Sequence, residues 1–343
     1  MVEHRDAAPD APATGPASGL SSVLDRADDL QQRTPVVAVP LAVAKKFSED
    51  DAGKLAALIS YYAFISVFPL LVVLATVLTR VLADRPELAE QVVSTAAGSF
   101  LSIGSGSSSV SPVDVSGPAL VVSLLVALWS GMGVAQGMQD AANVVHEVPK
   151  TERPGFLARL GRSITLLVIV GVGLPLTTVL QGVAGRAVGG PVAGVLAWLL
   201  AWALNTGLIC LAFRRATAAA TTWRGELPGA ALAALGWSVA QAVATTVLTQ
   251  RMQGAQATYG SFALVVTLLF WFFTLAQVCL YCMELNLVLG QRLWPRSLRS
   301  VLRAGAETSA DVRAYSAYPE REKQAHNIEV EVEVVDEPRR SRR

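Results

Sequence analysis

Charged residues are scarce in this chain, and their scarcity excludes several classes of protein. Asp, Glu, Lys and Arg make up 16% of the 343 residues, whereas a soluble globular domain carries about 25%. Hydrophobic residues reach 52%, and the formal net charge is +1. A strongly basic protein is excluded, so no nucleic-acid partner is expected. The composition is typical of a polytopic membrane protein.

Cysteine and histidine are also rare, with three of each. The cysteines lie in apolar runs, so no disulfide framework is expected. The spacing of Cys279 and Cys282 within an apolar run indicates packing rather than a redox or zinc pair. Clustered metal ligands, a P-loop, a GxGxxG segment and a Ser-His-Asp context are all missing. We therefore expect no metal, no cofactor and no enzymatic activity.

Long apolar runs, in contrast, are abundant. The run at 55–82 has 28 residues and a single charge, Arg80. A helix needs about 20 apolar residues to cross a hydrocarbon layer of about 30 Å. The six predicted spans cover residues 55–82, 119–138, 164–183, 192–213, 229–248 and 262–283. The predicted fold class is therefore all-α, a polytopic bundle of six transmembrane helices.

The loops alternate in their content of Lys and Arg. Fourteen such residues lie near the span ends on one side of the membrane, and four lie on the other. The four are Arg80, Arg85, Arg186 and Arg251. Because cytoplasmic loops are enriched in Lys and Arg, both termini are predicted to be cytoplasmic, in a multi-pass protein of the plasma (inner) membrane. The first 35 residues have no apolar core of a signal peptide, so the first span is expected to act as an uncleaved insertion signal.

Four regions are predicted along the chain. Residues 1–34, rich in Ala, Pro and Asp, are predicted to be a disordered cytoplasmic tail. Residues 35–47 are apolar, too short to span and closed by two lysines, which favours an interfacial helix. The transmembrane domain covers 48–295. Residues 296–343 are predicted to be a mostly disordered cytoplasmic tail, although 328–335 alternates like a strand.

Three segments of the chain carry a family resemblance. They are LAALISYYAFISVFPLLVVL in the first span, TTWRGELPGAALAALGW at 221–237 and YGSFALVVTLLFWFFTLAQVCLYCMELNLVLG at 259–290. Together they resemble the YihY/BrkB family of bacterial inner-membrane proteins. The segment DRADDLQQRTPVVAVPLAVAKKF at 25–47 is similar to the lead-in of its YhjD-like actinobacterial branch. The resemblance covers roughly residues 25–295.

This resemblance implies a six-helix membrane protein, in agreement with the number of apolar runs. It also implies a link to envelope integrity, to resistance to host serum and to the export of lipid or lipopolysaccharide precursors. A ribonuclease label attached to the family has no support in the residues of this chain. The resemblance supplies no catalytic residues.

Glu284 is the first candidate for a functional side chain. It lies near the predicted cytoplasmic end of the last span, where a carboxylate costs several kcal/mol unless it is paired or protonated. One interpretation is substrate or proton handling. The other is a structural ion pair with a loop arginine such as Arg214 or Arg215.

Polar residues in the other spans have two interpretations as well. Asp140 and Asn143 share a helical face that either lines a vestibule or emerges into water. Asn205 and Gln241 lie deeper, where they form interhelical hydrogen bonds or a polar pathway. The predicted substrate or proton pathway comprises Glu284, Asp140, Asn143, Tyr61, Tyr62, Asn205 and Gln241.

Two prolines interrupt the predicted spans. Pro69 and Pro175 lack a backbone donor and are predicted to kink the first and third spans. A kink of this kind either opens a cavity or is accommodated by packing.

These features favour a transporter or flippase-like exporter of a lipid or amphipathic envelope component. The alternative is a non-transporting scaffold or assembly factor, whose partners would be recruited by the two long charged tails. Membrane lipids are expected partners in both cases. Assembly of identical chains is left open by the sequence.

Overall fold

The computed structural model describes residues 34–81, 117–177, 191–259, 261–297 and 307–323, together with Asp28 and Leu180. Within these residues all regular structure is helical. The α-helices are α1 (Pro35–Glu49), α2 (Ala52–Val81), α3 (Gly117–Val145), α4 (Phe156–Val168), α5 (Pro191–Ala216), α6 (Trp223–Tyr259), α7 (Ser261–Gln291) and α8 (Ser309–Arg321). A 3₁₀ turn, Lys150–Glu152, precedes α4, and a π-helical segment, Ile169–Gly173, follows it.

Four helical segments of the described residues are long and apolar enough to cross a membrane. They are Val121–Val145, Phe156–Thr177, Gly194–Ala216 and Val265–Gln291. These segments overlap the predicted second, third, fourth and sixth spans. The predicted first span begins in a shorter apolar helix, Ala52–Val67. The remaining parts of the predicted spans at 55–82 and 229–248 lie in α2 and α6, whose side chains are described only as far as residues 70 and 243.

The helices pack around α2 and α7. Helix α2 lies along α3 and also against α7, whereas α6 lies between α5 and α7, and α1 rests on α7. The outward faces of the apolar segments remain apolar: Val195, Leu196 and Leu200 on α5 are all more than half exposed. Such exposure suits contact with lipid tails, and it identifies the described fold as an all-helical membrane domain.

Glycines allow two pairs of helices to approach closely. A Cβ atom at Gly133 on α3 would overlap the ring of Tyr62 on α2. A Cβ atom at Gly229 on α6 would overlap the carbonyl oxygen of Cys282 on α7. Small residues at these two contacts therefore bring the backbones of the paired helices together, as is common in membrane bundles.

The two prolines have different local surroundings. Helix α2 continues unbroken through Pro69. Pro175 stands two residues after the π-helical segment Ile169–Gly173. Because proline cannot donate a backbone hydrogen bond, a departure from α-helical bonding next to Pro175 is physically reasonable. The kinks themselves stay predictions.

The prediction of a mostly disordered tail at 296–343 is wrong for Ser309–Arg321, which form α8. The helix begins with a capping box, in which the hydroxyl of Thr308 accepts from the backbone N–H of Asp311 at 3.2 Å. In return the carboxylate of Asp311 accepts from the backbone N–H of Thr308 at 3.0 Å. The sequence of the tail does not indicate this helix, because its composition is polar and the residues that stabilise it are distant in sequence. Residues 1–27 and 328–335 lie outside the described residues.

Candidate functional site

Charged side chains from α1, α7, α8 and the segments that follow α3 and α7 meet at one end of the bundle. We call this group the charge cluster. Its members are Lys45, Lys46, Glu49, Asp50, Glu147, Glu284, Arg296, Asp311 and Arg321. Helix α1 contributes four of them in its last turn and C-cap, because its Lys-Lys pair is followed four positions later, one turn on, by its Glu-Asp pair.

Lys46 is the central cation of the charge cluster. Its side chain is completely buried, and Nζ lies 2.5 Å from Oδ2 of Asp50 and 3.2 Å from Oε1 of Glu147. The ammonium also lies 5.0 Å from the ring centroid of Tyr318 on α8. A buried ammonium is stable only when paired, and here two carboxylates and an aromatic face supply the pairing.

Glu147 reaches Lys46 from an unusual backbone conformation. It follows α3 with φ of 57°, in the left-handed region that helix ends usually fill with glycine. The helix end is closed by a 2.9 Å hydrogen bond from the N–H of Val148 to the carbonyl of Asn143. Burial raises the pKa of Glu147, although the ammonium of Lys46 opposes that effect. The left-handed conformation costs a non-glycine residue about 1–2 kcal/mol. In this conformation the carboxylate of Glu147 contacts Lys46.

Glu284 on α7 is the buried acid of the charge cluster. Its side chain has no exposed surface, and neither carboxyl oxygen has a hydrogen-bond partner among the described residues. The charged groups that act on it most strongly are Lys46, Asp50 and Glu147. The carboxylate of Asp50 lies beside it, and a hydrogen bond between the two groups requires a proton on one of them. Glu284 therefore faces two other acids and an ammonium that both of those acids already contact.

The predicted alternative of an ion pair between Glu284 and a loop arginine is wrong. Arg214 donates to the carbonyl of Thr221 at 3.3 Å and lies 4.6 Å from the ring centroid of Trp223. Arg215 is exposed at the surface. Of the two interpretations of Glu284, substrate or proton handling therefore stays a hypothesis, and the ion pair with Arg214 or Arg215 does not.

Helix α8 covers the charge cluster from outside. Asp311 contacts Nε of Arg296 at 2.6 Å and Nζ of Lys45 at 2.8 Å. Arg321 contacts Asp50 at 2.7 Å. These contacts fasten the C-terminal helix to α1 and to the segment after α7.

Glu49 completes the attachment of α8 from the side of α1. Its carboxylate contacts Nη2 of Arg296 at 2.8 Å and accepts from the hydroxyl of Tyr318 at 2.8 Å. It also accepts from the hydroxyl of Tyr315 at 3.2 Å. Six side chains, from the last turn of α1, from α8 and from the segment between α7 and α8, therefore share one network centred on two carboxylates.

A second buried polar chain joins α3, α6 and α7. His146 Nε2 lies 3.0 Å from Oε1 of Glu226, and His146 Nδ1 lies 2.9 Å from the carbonyl of Ala142. Asn286 donates to Oε2 of Glu226 at 2.8 Å and accepts from the N–H of Gly229 at 2.6 Å. Asn286 is two positions beyond Glu284, so it projects from a different face of α7. This chain fixes the close approach of α6 to α7.

The other residues of the predicted pathway make separate contacts. Asp140 pairs with Arg159 on α4 at 2.7 Å, and both are partly exposed. The side-chain oxygen of Asn143 accepts from the N–H of Ala218 at 2.7 Å. The side-chain oxygen of Asn205 accepts from the hydroxyl of Thr177. These contacts join α3 to α4, α3 to the loop before α6, and α5 to the end of the third apolar segment.

The two tyrosines and Gln241 also lie apart from the charge cluster as defined. Tyr62 packs against Gly133, and the exposed Tyr61 meets its ring edge-on with centroids 5.5 Å apart. Gln241 is half-buried in α6. Of the seven predicted pathway residues, Glu284 alone belongs to the charge cluster, and the described residues do not join the seven into one site.

Metal ligation is not indicated for the described residues. None of their His, Cys, Asp and Glu side chains form a group of three or more that could hold a metal ion. In the charge cluster, the position between Asp50 and Glu147 is taken by the ammonium of Lys46.

The described residues, all of whose regular structure is helical, include several apolar segments of membrane-spanning length, which defines a multi-pass membrane protein. The sequence profile of the family described as Virulence factor BrkB matches residues 43–300. The chain belongs to this YihY/BrkB family. Neither a curated protein nor a solved structure matches the chain significantly.

Proposed function

We propose that this protein is a transporter or flippase-like exporter that moves a lipid or another amphipathic envelope component across the plasma (inner) membrane. The observation that carries the proposal is the fully buried, unpartnered carboxyl group of Glu284 within an apolar membrane segment. Ionisable residues at such positions are expensive to bury, and they commonly belong to substrate or ion pathways.

An amphipathic substrate suits the distribution of polarity over the described residues. Apolar side chains cover the outward faces of the membrane segments, where lipid tails would lie. Charged side chains are gathered at one end of the bundle, where a polar head group would be handled. A substrate with both parts can contact both surfaces at once.

The topology belongs to the same proposal: six spans, both termini cytoplasmic, and membership of the YhjD-like branch. Helices α2 and α6 have 30 and 37 residues, which exceed the roughly 20 needed to span. With the native cysteines replaced by serine, Ser107→Cys should react with a membrane-impermeant maleimide in intact cells. Glu152→Cys should react only after lysis, and labelling of both sites in intact cells would contradict the topology.

Transport can be tested with the purified protein in liposomes that contain a fluorescent phospholipid. The wild type is expected to speed exchange between leaflets, measured as loss of fluorescence after an impermeant quencher is added. Glu284→Gln should slow the exchange by about tenfold or more, equivalent to about 1.4 kcal/mol in the barrier. Glu152→Gln, an exposed acid in the 3₁₀ turn, is the matched control and should keep the wild-type rate. The proposal would be overturned if the protein did not speed exchange in liposomes of either neutral or anionic envelope lipids.

A non-transporting scaffold is the second candidate function. The observation in its favour is α8, a folded helix fastened to the membrane domain where a partner protein could dock. Loss of function in cells on deletion of α8, with a fully active Glu284→Gln variant, would favour the scaffold over the transporter.

A further inference from the structure

The charges of the cluster balance when Glu284 is left out. The four cations are Lys45, Lys46, Arg296 and Arg321, and the four paired carboxylates are Glu49, Asp50, Glu147 and Asp311. Each of these carboxylates contacts at least one of the cations at 3.2 Å or less. Glu284 is the fifth carboxyl group of the cluster, and no described residue forms a hydrogen bond with it.

Among the side chains that the structure describes, no other charged group on the elements packed against α7 compensates Glu284. On α6, Glu226 is engaged by His146 and Asn286 at a different face of α7. Where α2 begins, Lys54 pairs with Asp51 at the surface, with both side chains more than half exposed. From α1 and from the segment after α3, the facing groups are Lys46, Asp50 and Glu147, already counted in the cluster.

An ionised Glu284 would therefore be a buried charge in excess of its partners. Isolated charges in apolar surroundings are so unfavourable that the group neutralises instead. A proton on Glu284 would bring the cluster to zero net charge. It would also remove the repulsion with the neighbouring carboxylate of Asp50, which could then accept the new O–H as a hydrogen bond.

We propose that Glu284 is a proton-binding site, neutral in the arrangement described here, and that its proton is the coupling ion of the transporter. On release the O–H bond breaks, the proton passes to water, and the electron pair stays on the carboxylate. Because α1 and α8 seal the cluster, release requires water to reach Glu284 between these helices. The coupling rests on the proposed transport function, whereas the proton site itself does not.

The proton site can be tested without transport by infrared difference spectroscopy on the full-length protein during a pH titration. The wild type should show the carbonyl stretch of a neutral carboxylic acid that is lost reversibly on alkalinisation. Glu284→Gln should lack this band, and Glu284→Asp, which keeps the acid, should retain it at a shifted frequency. Glu152→Gln, an exposed acid in the 3₁₀ turn, is the control and should keep the band. A band that survives in Glu284→Gln, or that is lost from Glu152→Gln as well, overturns the proposal.

Coupling is tested separately in the liposome assay with an imposed pH difference. Wild-type exchange should change at least severalfold with the direction of the gradient, and Glu284→Gln should show no such dependence. Transport that ignores the gradient overturns the coupling and leaves the proposed function standing. Failure of all transport, with the infrared band present, overturns the transport function and the coupling but confirms the proton site.

Discussion

Replacing Asp311 by alanine is expected to detach α8 and to lower the free energy of unfolding by about 3–5 kcal/mol. The carboxylate of Asp311 is the partner of two cations, Lys45 and Arg296, and Arg296 is only 1% exposed. Removal of the acid leaves the buried guanidinium of Arg296 with Glu49 as its remaining carboxylate partner. It also removes the capping box of α8. Thermal unfolding in detergent and limited trypsin digestion of the C-terminal region would measure the two effects.

The same residue predicts a pH dependence. Burial acts to raise the pKa of Asp311, but hydrogen bonds from Lys45, from the N–H groups of Ser297 and Thr308 and from Arg296 outweigh it and hold the pKa well below its usual range. A carboxyl group of this kind contributes its full stability above its unfolded pKa of about 3.9. The contribution is lost as the pH falls below that value through the folded pKa. Helix α8 should therefore stay attached at pH 5 in the wild type.

Glu307→Ala is the control for Asp311→Ala. Glu307 is exposed just before the N-cap of α8, so its removal should change the unfolding free energy by about 0.5 kcal/mol or less. Equal losses in the two variants, or an unchanged digestion pattern in Asp311→Ala, would contradict the role assigned to the Asp311 ion pairs.

Replacing Lys46 by methionine is expected to have an effect of similar size. The substitution keeps much of the side-chain volume but leaves Asp50 and Glu147 without the ammonium that both contact. Breaking a buried ion pair from one side typically destabilises by about 3–5 kcal/mol, because the remaining charges stay buried. Adding Glu147→Gln should restore part of the loss, since it removes one of the abandoned charges.

A double-mutant cycle measures the coupling between Lys46 and Glu147 from thermal or denaturant unfolding of the four proteins. The coupling energy should fall within about 0.5–3 kcal/mol. Lys54→Met is the matched control, because Lys54 is 78% exposed and its pair with Asp51 is a surface ion pair. A Lys46→Met variant no less stable than Lys54→Met would show that the buried pairs contribute nothing.

The membrane segments could be predicted from sequence because their signal is local. A span needs a continuous apolar run of a known length, and Val265–Gln291 overlaps the run at 262–283 almost throughout. Glu284 was found by the same kind of rule, as an acid at the edge of such a run. Both inferences use only neighbouring residues.

The partners of Glu284 could not be predicted in this way. Lys46 and Glu147 stand about a hundred positions apart, and Arg296 is separated from Glu49 by 247. No periodicity connects such positions, so the sequence indicates only the membrane topology from the Lys and Arg residues near the helix ends. The left-handed conformation of Glu147 is likewise invisible in the sequence, because glycine is the usual residue there.

Polar residues within spans pose a different difficulty. Asn205 was assigned either a hydrogen bond or a pathway, and the structure shows its hydrogen bond to Thr177. A polar atom on a helix face is needed for both roles, so residue type alone does not separate them. The position of the neighbouring helix distinguishes the two roles, and that position depends on the packing of the whole bundle.

The attachment of α8 to α1 changes where the folded unit ends. The family match stops at residue 300, whereas the partners of Lys45 and Asp50 lie at Asp311 and Arg321. A fragment trimmed to the shared family segment would keep the buried cations and acids of α1 and lose the side chains that neutralise them. The smallest piece of this chain suited to purification is therefore longer than its family boundary, and it extends through the last turn of α8.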